Sequence, residues 1–204
     1  MNAVIAVTLA YFVGSIPFAY LLSRHQGIDL HRAGSGNVGA SNVLRTTGVR
    51  AAVLAMVLDG IKGAIAVLTA QLLSPGPVAA VIAAFASILG HVYPIWLRFR
   101  GGKGVATAAG AFALLAPEAL AVAASVFLLS VIVTRFISVG SMAGALTLVL
   151  VAALGDAPGV VAVGATASAL VIIYRHRGNL ARLAAGTERR IGQRVVNEPE
   201  GSAT

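Results

Sequence analysis

The chain contains no cysteine, so disulfides, thiolate metal ligands and a cysteine nucleophile are all excluded. Charge is scarce as well. Asp, Glu, Lys and Arg make up 11% of the 204 residues, against roughly 25% in soluble domains. With a mean hydropathy of +0.89, this is the composition of an integral membrane protein. None of the four histidines (His25, His31, His91, His176) has a zinc-type spacing such as H-E-x-x-H, and no metal is expected. The net charge of +8 does not point to nucleic acid, because the basic residues are scattered over short loops with no soluble basic domain to hold a duplex.

What is present is apolar sequence in helix-length runs. A spanning helix needs about 20 mainly apolar residues. The segments are Val4 to Leu22, Ala51 to Leu73, Val78 to Leu97, Val105 to Ala116, Glu118 to Val133, Val139 to Leu154 and Val160 to Tyr174. They predict an all-α bundle of about seven transmembrane helices in one domain, residues 1–196. A polar, disordered tail is expected over residues 197–204. The first segment reads as a permanent helix rather than a secretory signal, since no basic region precedes it. The fourth is short, at about 18 Å against a hydrocarbon core of about 30 Å. Either it begins below the surface or Pro117 kinks a longer helix, and five or six spans is the alternative count.

The connections alternate in charge. Arg24, Arg32, Arg45 and Arg50 fall in the first, and Arg98, Arg100 and Lys103 in the third. Arg135 is in the fifth, and Arg175, Arg177, Arg182, Arg189, Arg190 and Arg194 follow the last helix. The intervening connections hold no cation, so fourteen of the fifteen lie on one side. The positive-inside rule makes that side cytoplasmic, with the N-terminus outside and the C-terminus inside. No internal repeat supports an inverted-repeat transporter.

Three glycine-rich polar stretches break the oily sequence, all on the basic side. In the first, Gly34, Gly36 and Gly39 allow amides to point into one concavity. Ser35, Asn37, Ser41 and Asn42 add short donors, and Arg45 adds a fork suited to phosphate. Ser41 or Asn42 could also cap a short helix. In the second, Gly101-Gly102-Lys103-Gly104 enters a helix with a point charge at its start. It is not a Walker loop, because Leu97 and Gly104 stand where the first Gly and the Ser/Thr belong. In the third, His176 and Asn179 are i and i+3 on one face if the helix continues. Each stretch suits an anionic, phosphate-bearing ligand. The plain alternatives are flexible turns, orienting cations and a patch touching lipid head groups.

Elsewhere, Asp59 and Lys62 are intramembrane charges at i and i+3, expected either to pair or to support the polar loops. Glu188 belongs to an amphipathic surface segment or pairs with an Arg of the clusters. Ser138 and Ser141 stand at the start of the sixth helix, as a cap or an anion site. His91 and Tyr93 read as a satisfied interfacial histidine and an aromatic-belt residue. No His is followed by Asp five residues later, as in common glycerolipid acyltransferases, and G-x-S-x-G is absent, so nothing supports an acyl-enzyme intermediate.

The stretches Gly34 to Arg45, Gly90-His91-Val92-Tyr93-Pro94, Gly101 to Ala106 and His176-Arg177-Gly178-Asn179 together resemble the bacterial acyl-phosphate:glycerol-3-phosphate acyltransferases, the PlsY family. Leu58 to Gly63 and Gly186-Thr187-Glu188 also fit. The likeness runs over essentially the whole chain before the tail. Ser41 departs from the Thr expected in many members but keeps the hydroxyl. The resemblance implies transfer of a fatty acyl group from acyl phosphate to the 1-hydroxyl of glycerol 3-phosphate, giving lysophosphatidic acid and phosphate. It implies a bacterial inner-membrane enzyme facing the cytoplasm and no cofactor. On that basis Ser35, Arg45 and Lys103 are expected to bind phosphate, helped by the amides of Gly36, Gly102 and Gly104. His176, Asn179 and Ser141 are expected to meet substrate, with the base either His176 or the acceptor's own phosphate. A carrier or channel for an organic phosphate is the alternative class.

Overall fold

The computed structural model describes residues 1–192, so the expected tail at 197–204 lies outside the described residues. Within them the fold is helical, with no strand. The first apolar segment is broken: α1 (Asn2–Gly14) ends before Pro17, and α2 (Phe18–His25) starts just after it. Proline lacks an amide hydrogen and disfavours helical geometry at Ile16 before it, so one continuous helix over Val4 to Leu22 is not what forms. The carbonyl of Ile16, released at this break, accepts a hydrogen bond from Lys62 Nζ at 2.8 Å.

The first polar loop carries α3 (Ala40–Thr46), with Gly39 as its N-cap and no side-chain cap. Ser41 and Asn42 therefore sit inside a helix rather than capping one. Gly48, at φ 111°, then turns the chain into α4 (Val49–Leu73). The third segment stops early: α5 (Pro77–Val92) gives way to a single 3-10 turn, Ile95–Leu97, after Pro94. The short fourth segment is α6 (Val105–Leu115), and α7 (Pro117–Thr134) begins afresh with Pro117 in its first turn. Proline fits there because the first helical amides have no partner in the helix anyway. The two are separate helices, not one kinked helix. Helices α8 (Ile137–Leu154) and α9 (Gly159–Arg175) follow, and α10 (Arg177–Ala184) leaves α9 at 52°.

Among the described residues, five segments are long and apolar enough to cross a membrane, with Asn2–His25 as one of them, and α9 with α10 makes six if that bent pair is a single span. Bulky apolar side chains such as Leu72, Ile132 and Leu154 face outward, as lipid contact requires. The interior is built from small residues that let backbones approach. A Cβ on Gly110 would lie 1.8 Å from the carbonyl oxygen of Gly60, which locks α6 against α4. α7 and α8 form a hairpin on the other side, and α9 packs between α5 and α8.

Candidate active site

The three glycine-rich stretches meet. One cavity of about 430 Å³ is lined by Asn37, Gly39 and Ser41 from the first, Lys103 and Gly104 from the second, and His176 and Asn179 from the third. Arg45, Asp59, His91, Ser138, Ser141 and Glu188 also reach it. The remaining wall is apolar, with Met56, Val57, Leu120, Phe127 and Leu148 among its members. A polar end and an oily slot thus share one space.

The polar end is organised around Glu188. Its Oε1 accepts hydrogen bonds from Asn179 Nδ2 at 2.6 Å and Ser138 Oγ at 2.9 Å, and its Oε2 accepts one from Arg182 Nε at 2.7 Å. Burial pushes the carboxyl pKa up, but these three donors outweigh it and hold it below the usual value. Of the two readings of Glu188, pairing with an arginine is the one that occurs. Asn179 uses its other end on Lys103, whose Nζ donates to Asn179 Oδ1 at 2.5 Å. Burial, reinforced by Arg182, Arg45 and Arg175, lowers the Lys103 pKa to about 8, while Glu188 opposes the shift. Arg45 is half-buried, and its guanidinium donates to the carbonyl of Arg189 at 3.4 Å, which draws the segment after α10 over the first loop.

His176 caps the start of α10, and its Nδ1 lies 2.7 Å from the carbonyl oxygen of Ile172. A carbonyl can only accept, so Nδ1 carries the hydrogen and Nε2 keeps the lone pair. Although the helix bends at His176, Asn179 stays within one turn of it and both line the cavity. Ser141 lines it too, with its hydroxyl donating back to Ile137. Neither Ser138 nor Ser141 caps α8.

Some expected ligands have other duties. Asn42 is buried. Its Nδ2 donates to the carbonyls of Leu30 and Ala33, and its Oδ1 accepts the amide of Ser35. It braces the loop and does not line the cavity. The amide of Gly36 donates to Ala33, and that of Gly102 to His91, so neither is offered to an anion as expected. Of Gly36, Gly102 and Gly104, only Gly104 lines the cavity, where φ of 85° starts α6 and a Cβ would meet Ile88 at 2.9 Å. Ser35 is exposed and outside the cavity wall.

Asp59 and Lys62 form a buried pair at 2.8 Å, with His91 Nδ1 at 3.5 Å from the same carboxylate oxygen. Behind the second loop, Arg175 donates to the carbonyls of Gly101 at 3.1 Å and Gly102 at 3.3 Å. Ser138 as a partner of Glu188, Arg182 as its counter-ion and Arg175 as a loop clamp were not foreseen from sequence. The signal available for Arg175 and Arg182 was only that both are cations near the third stretch. No group of three potential metal ligands occurs among the described residues.

A family model described as glycerol-3-phosphate acyltransferase matches residues 4–186. A glycerol-3-phosphate acyltransferase of Desulforamulus reducens is 41% identical over 195 residues, covering 95% of this chain and 98% of its own. One from Myxococcus xanthus is 44% identical over 187 residues, covering 90% and 97%. The crystal structure of PlsY (YgiH), an integral membrane glycerol 3-phosphate acyltransferase, in its glycerol 3-phosphate form, superimposes with a TM-score of 0.90 at 36% identity, covering 94% of this chain and 96% of that one. Its lysophosphatidic acid form gives 0.87. Matched over nearly its whole length by sequence and by structure, this chain belongs to the glycerol-3-phosphate acyltransferase family.

Proposed function

We propose that the chain moves a fatty acyl group from acyl phosphate to the 1-hydroxyl of sn-glycerol 3-phosphate, releasing lysophosphatidic acid and phosphate. The observation that carries this reading is the single cavity with Lys103, Arg45 and Asn179 at one end and an apolar slot at the other. It suits a donor with a phosphate head and a hydrocarbon tail, and an acceptor that is itself a phosphate. The solved relative's glycerol 3-phosphate and lysophosphatidic acid forms support it.

Acyl phosphate is a mixed anhydride, already activated. The acceptor hydroxyl oxygen forms a bond to the acyl carbon, and the bond from that carbon to the phosphate oxygen breaks. The hydroxyl proton passes to a base, either Nε2 of His176 or the acceptor phosphate. Phosphate departs with the electron pair. No enzyme nucleophile is required, so the work lies in positioning and in charge stabilisation. Lys103 and Arg45 neutralise phosphate. Asn179 aims the Lys103 ammonium, and Glu188 holds Asn179. Ser41, Asn37 and Ser141 offer short polar groups along the wall, and Ser35 offers an exposed hydroxyl. Asp59 and Lys62 support the site from within α4.

In this reading the seven apolar helices place the N-terminus outside and the C-terminus in the cytoplasm, with α6 the short one. The cavity's polar end opens to the cytoplasm of a bacterial inner membrane, where soluble glycerol 3-phosphate is supplied. The basic connections support this orientation.

The test is purified protein in detergent or liposomes, given palmitoyl phosphate and glycerol 3-phosphate. Lysophosphatidic acid and inorganic phosphate should appear in equal amounts. Absence of product overturns the proposal, and flux of glycerol 3-phosphate into liposomes without product favours the carrier reading instead.

A further inference from the structure

We propose that Leu148 and Leu120 close the far end of the cavity and set the longest acyl chain it accepts, so that α7 and α8 gauge the donor's length. The proposal rests on the acyl-transfer reading and adds the residues that choose among donors.

One face of α8 runs along the cavity. Ser138, Ser141, Gly144, Ala145 and Leu148 line it in turn, at the spacing of successive helical turns. Ser138 marks the polar end through its bond to Glu188. Leu148 lies ten residues further on, about 15 Å along the helix. Between Ser141 and Leu148 this wall carries only a glycine and an alanine.

The opposite wall follows from the hairpin register. A Cβ built on Gly140 would lie 2.8 Å from the carbonyl oxygen of Phe127, and one on Gly144 would lie 3.1 Å from that of Ala123. Antiparallel helices in this register set Leu148 against the turn holding Leu120, which also lines the cavity. Beyond Phe127 the α7 wall has only Ala124 and Ala123 before Leu120. The first branched side chains met on both α7 and α8 beyond the polar end are therefore Leu148 and Leu120. One turn past them the space is filled. Phe112, Ala116, Ala119 and Ala152 are buried in the same packed cluster as Leu148, and none lines the cavity. A hydrocarbon chain advancing from Ser141 meets two leucines backed by solid core.

The experiment measures kcat/KM for a series of saturated acyl phosphates of increasing length with the full chain in nanodiscs. Chains that fit the slot should share a similar kcat/KM, because each methylene leaves a bilayer as apolar as the slot, and chains past the limit should lose roughly tenfold. Leu148→Ala should move the limit to longer chains by about two methylenes, leaving the KM for glycerol 3-phosphate unchanged. Leu120→Ala, at a partly exposed position, should move it in the same direction and serves if Leu148→Ala fails to fold. Ala145→Leu should move it to shorter chains, and Ala109→Leu on α6 provides the same test from the facing wall. Leu150→Ala, exposed on α8 and outside the cavity, should leave the profile unchanged. The gauge is overturned if Leu148→Ala and Leu120→Ala are active with the wild-type length profile. If wild-type protein makes no product from any donor, the acyl-transfer reading falls and takes the gauge with it.

Discussion

The Lys103 ammonium and the Asn179 side-chain oxygen, 76 residues apart in sequence, meet at 2.5 Å. This contact joins the second glycine-rich stretch to the third and fixes where the positive charge points. A free lysine explores many rotamers. Here one is selected in the folded protein, and in the proposed acyl transfer that would lower the ordering cost of binding a phosphate.

The first prediction concerns pH. With its pKa at about 8, Lys103 loses its charge as pH rises through that value. Phosphate binding in the free enzyme should weaken in step, so kcat/KM for glycerol 3-phosphate should fall above pH about 8. Bound phosphate stabilises the ammonium, so the fall in kcat should come at higher pH. Lys103→Arg should abolish the fall, because guanidinium stays protonated throughout. Lys103→Ala and Arg45→Ala should each lose roughly 100- to 1,000-fold in kcat/KM, the range for removing a charge-stabilising donor. Steady-state kinetics from pH 6 to 10 checks these outcomes. Near-normal rates with both residues replaced would reject the site.

Glu188 should control the same limb from the other side. Its carboxylate raises the Lys103 pKa, so Glu188→Gln should shift the alkaline fall to lower pH. The variant also loses charge-assisted hydrogen bonds, worth about 1.5–3 kcal/mol, or roughly ten- to a hundredfold in kcat/KM. The stability effect has a defined sign. A carboxyl held below its usual value stabilises the fold above the unfolded pKa and loses that contribution as pH falls through the folded one. Wild-type protein should therefore lose this contribution only in acid, and Glu188→Gln should flatten that part of the profile. Thermal unfolding in detergent across pH reads it directly.

The buried pair of α4 should behave as a unit. Asp59→Asn leaves Lys62 charged and without its counter-ion inside the bundle, at a cost of about 3–5 kcal/mol. Asp59→Leu combined with Lys62→Met removes both charges and should recover most of the thermal midpoint. Activity should not recover with it, because Asp59 lines the cavity and the His91 ring beside it packs against Gly102. Paired measurement of melting temperature and kcat/KM separates the two effects. Full recovery of both would leave the pair a purely structural one.

The Asp59–Lys62 pair was legible because i and i+3 spacing on a helix fixes proximity without tertiary knowledge. The convergence of the glycine-rich stretches was legible from charge alternation, which puts all three on one side. The break at Pro17 was signalled by the proline itself but masked by unbroken hydropathy around it. The glycine amides were not legible. Whether Gly102 offers its N–H to a ligand depends on the carbonyl of His91 lying across the turn. Asn42 failed for a related reason, since a side-chain amide satisfies loop carbonyls as readily as a phosphate. Glu188 had two open readings because its partners Ser138 and Asn179 come from separate helices.

The last prediction tests orientation, and the missing cysteines make it clean. Any cysteine introduced is the sole thiol, so labelling reports one site. Arg50→Cys, in the first turn of α4, and Arg100→Cys, in the connection before α6, stand among the basic residues, and Pro75→Cys and Asp156→Cys fall in connections without cations. All four positions are exposed. None lines the cavity, so each variant should keep acyltransferase activity as proof of folding. A membrane-impermeant maleimide applied to spheroplasts should label positions 75 and 156 at once. It should label positions 50 and 100 only after lysis. Arg50 and Arg100 flank the first and second glycine-rich stretches, so labelling of these two from opposite sides would separate Arg45 from Lys103 across the bilayer. A shared phosphate site would then be impossible, however well either residue is placed for chemistry by itself.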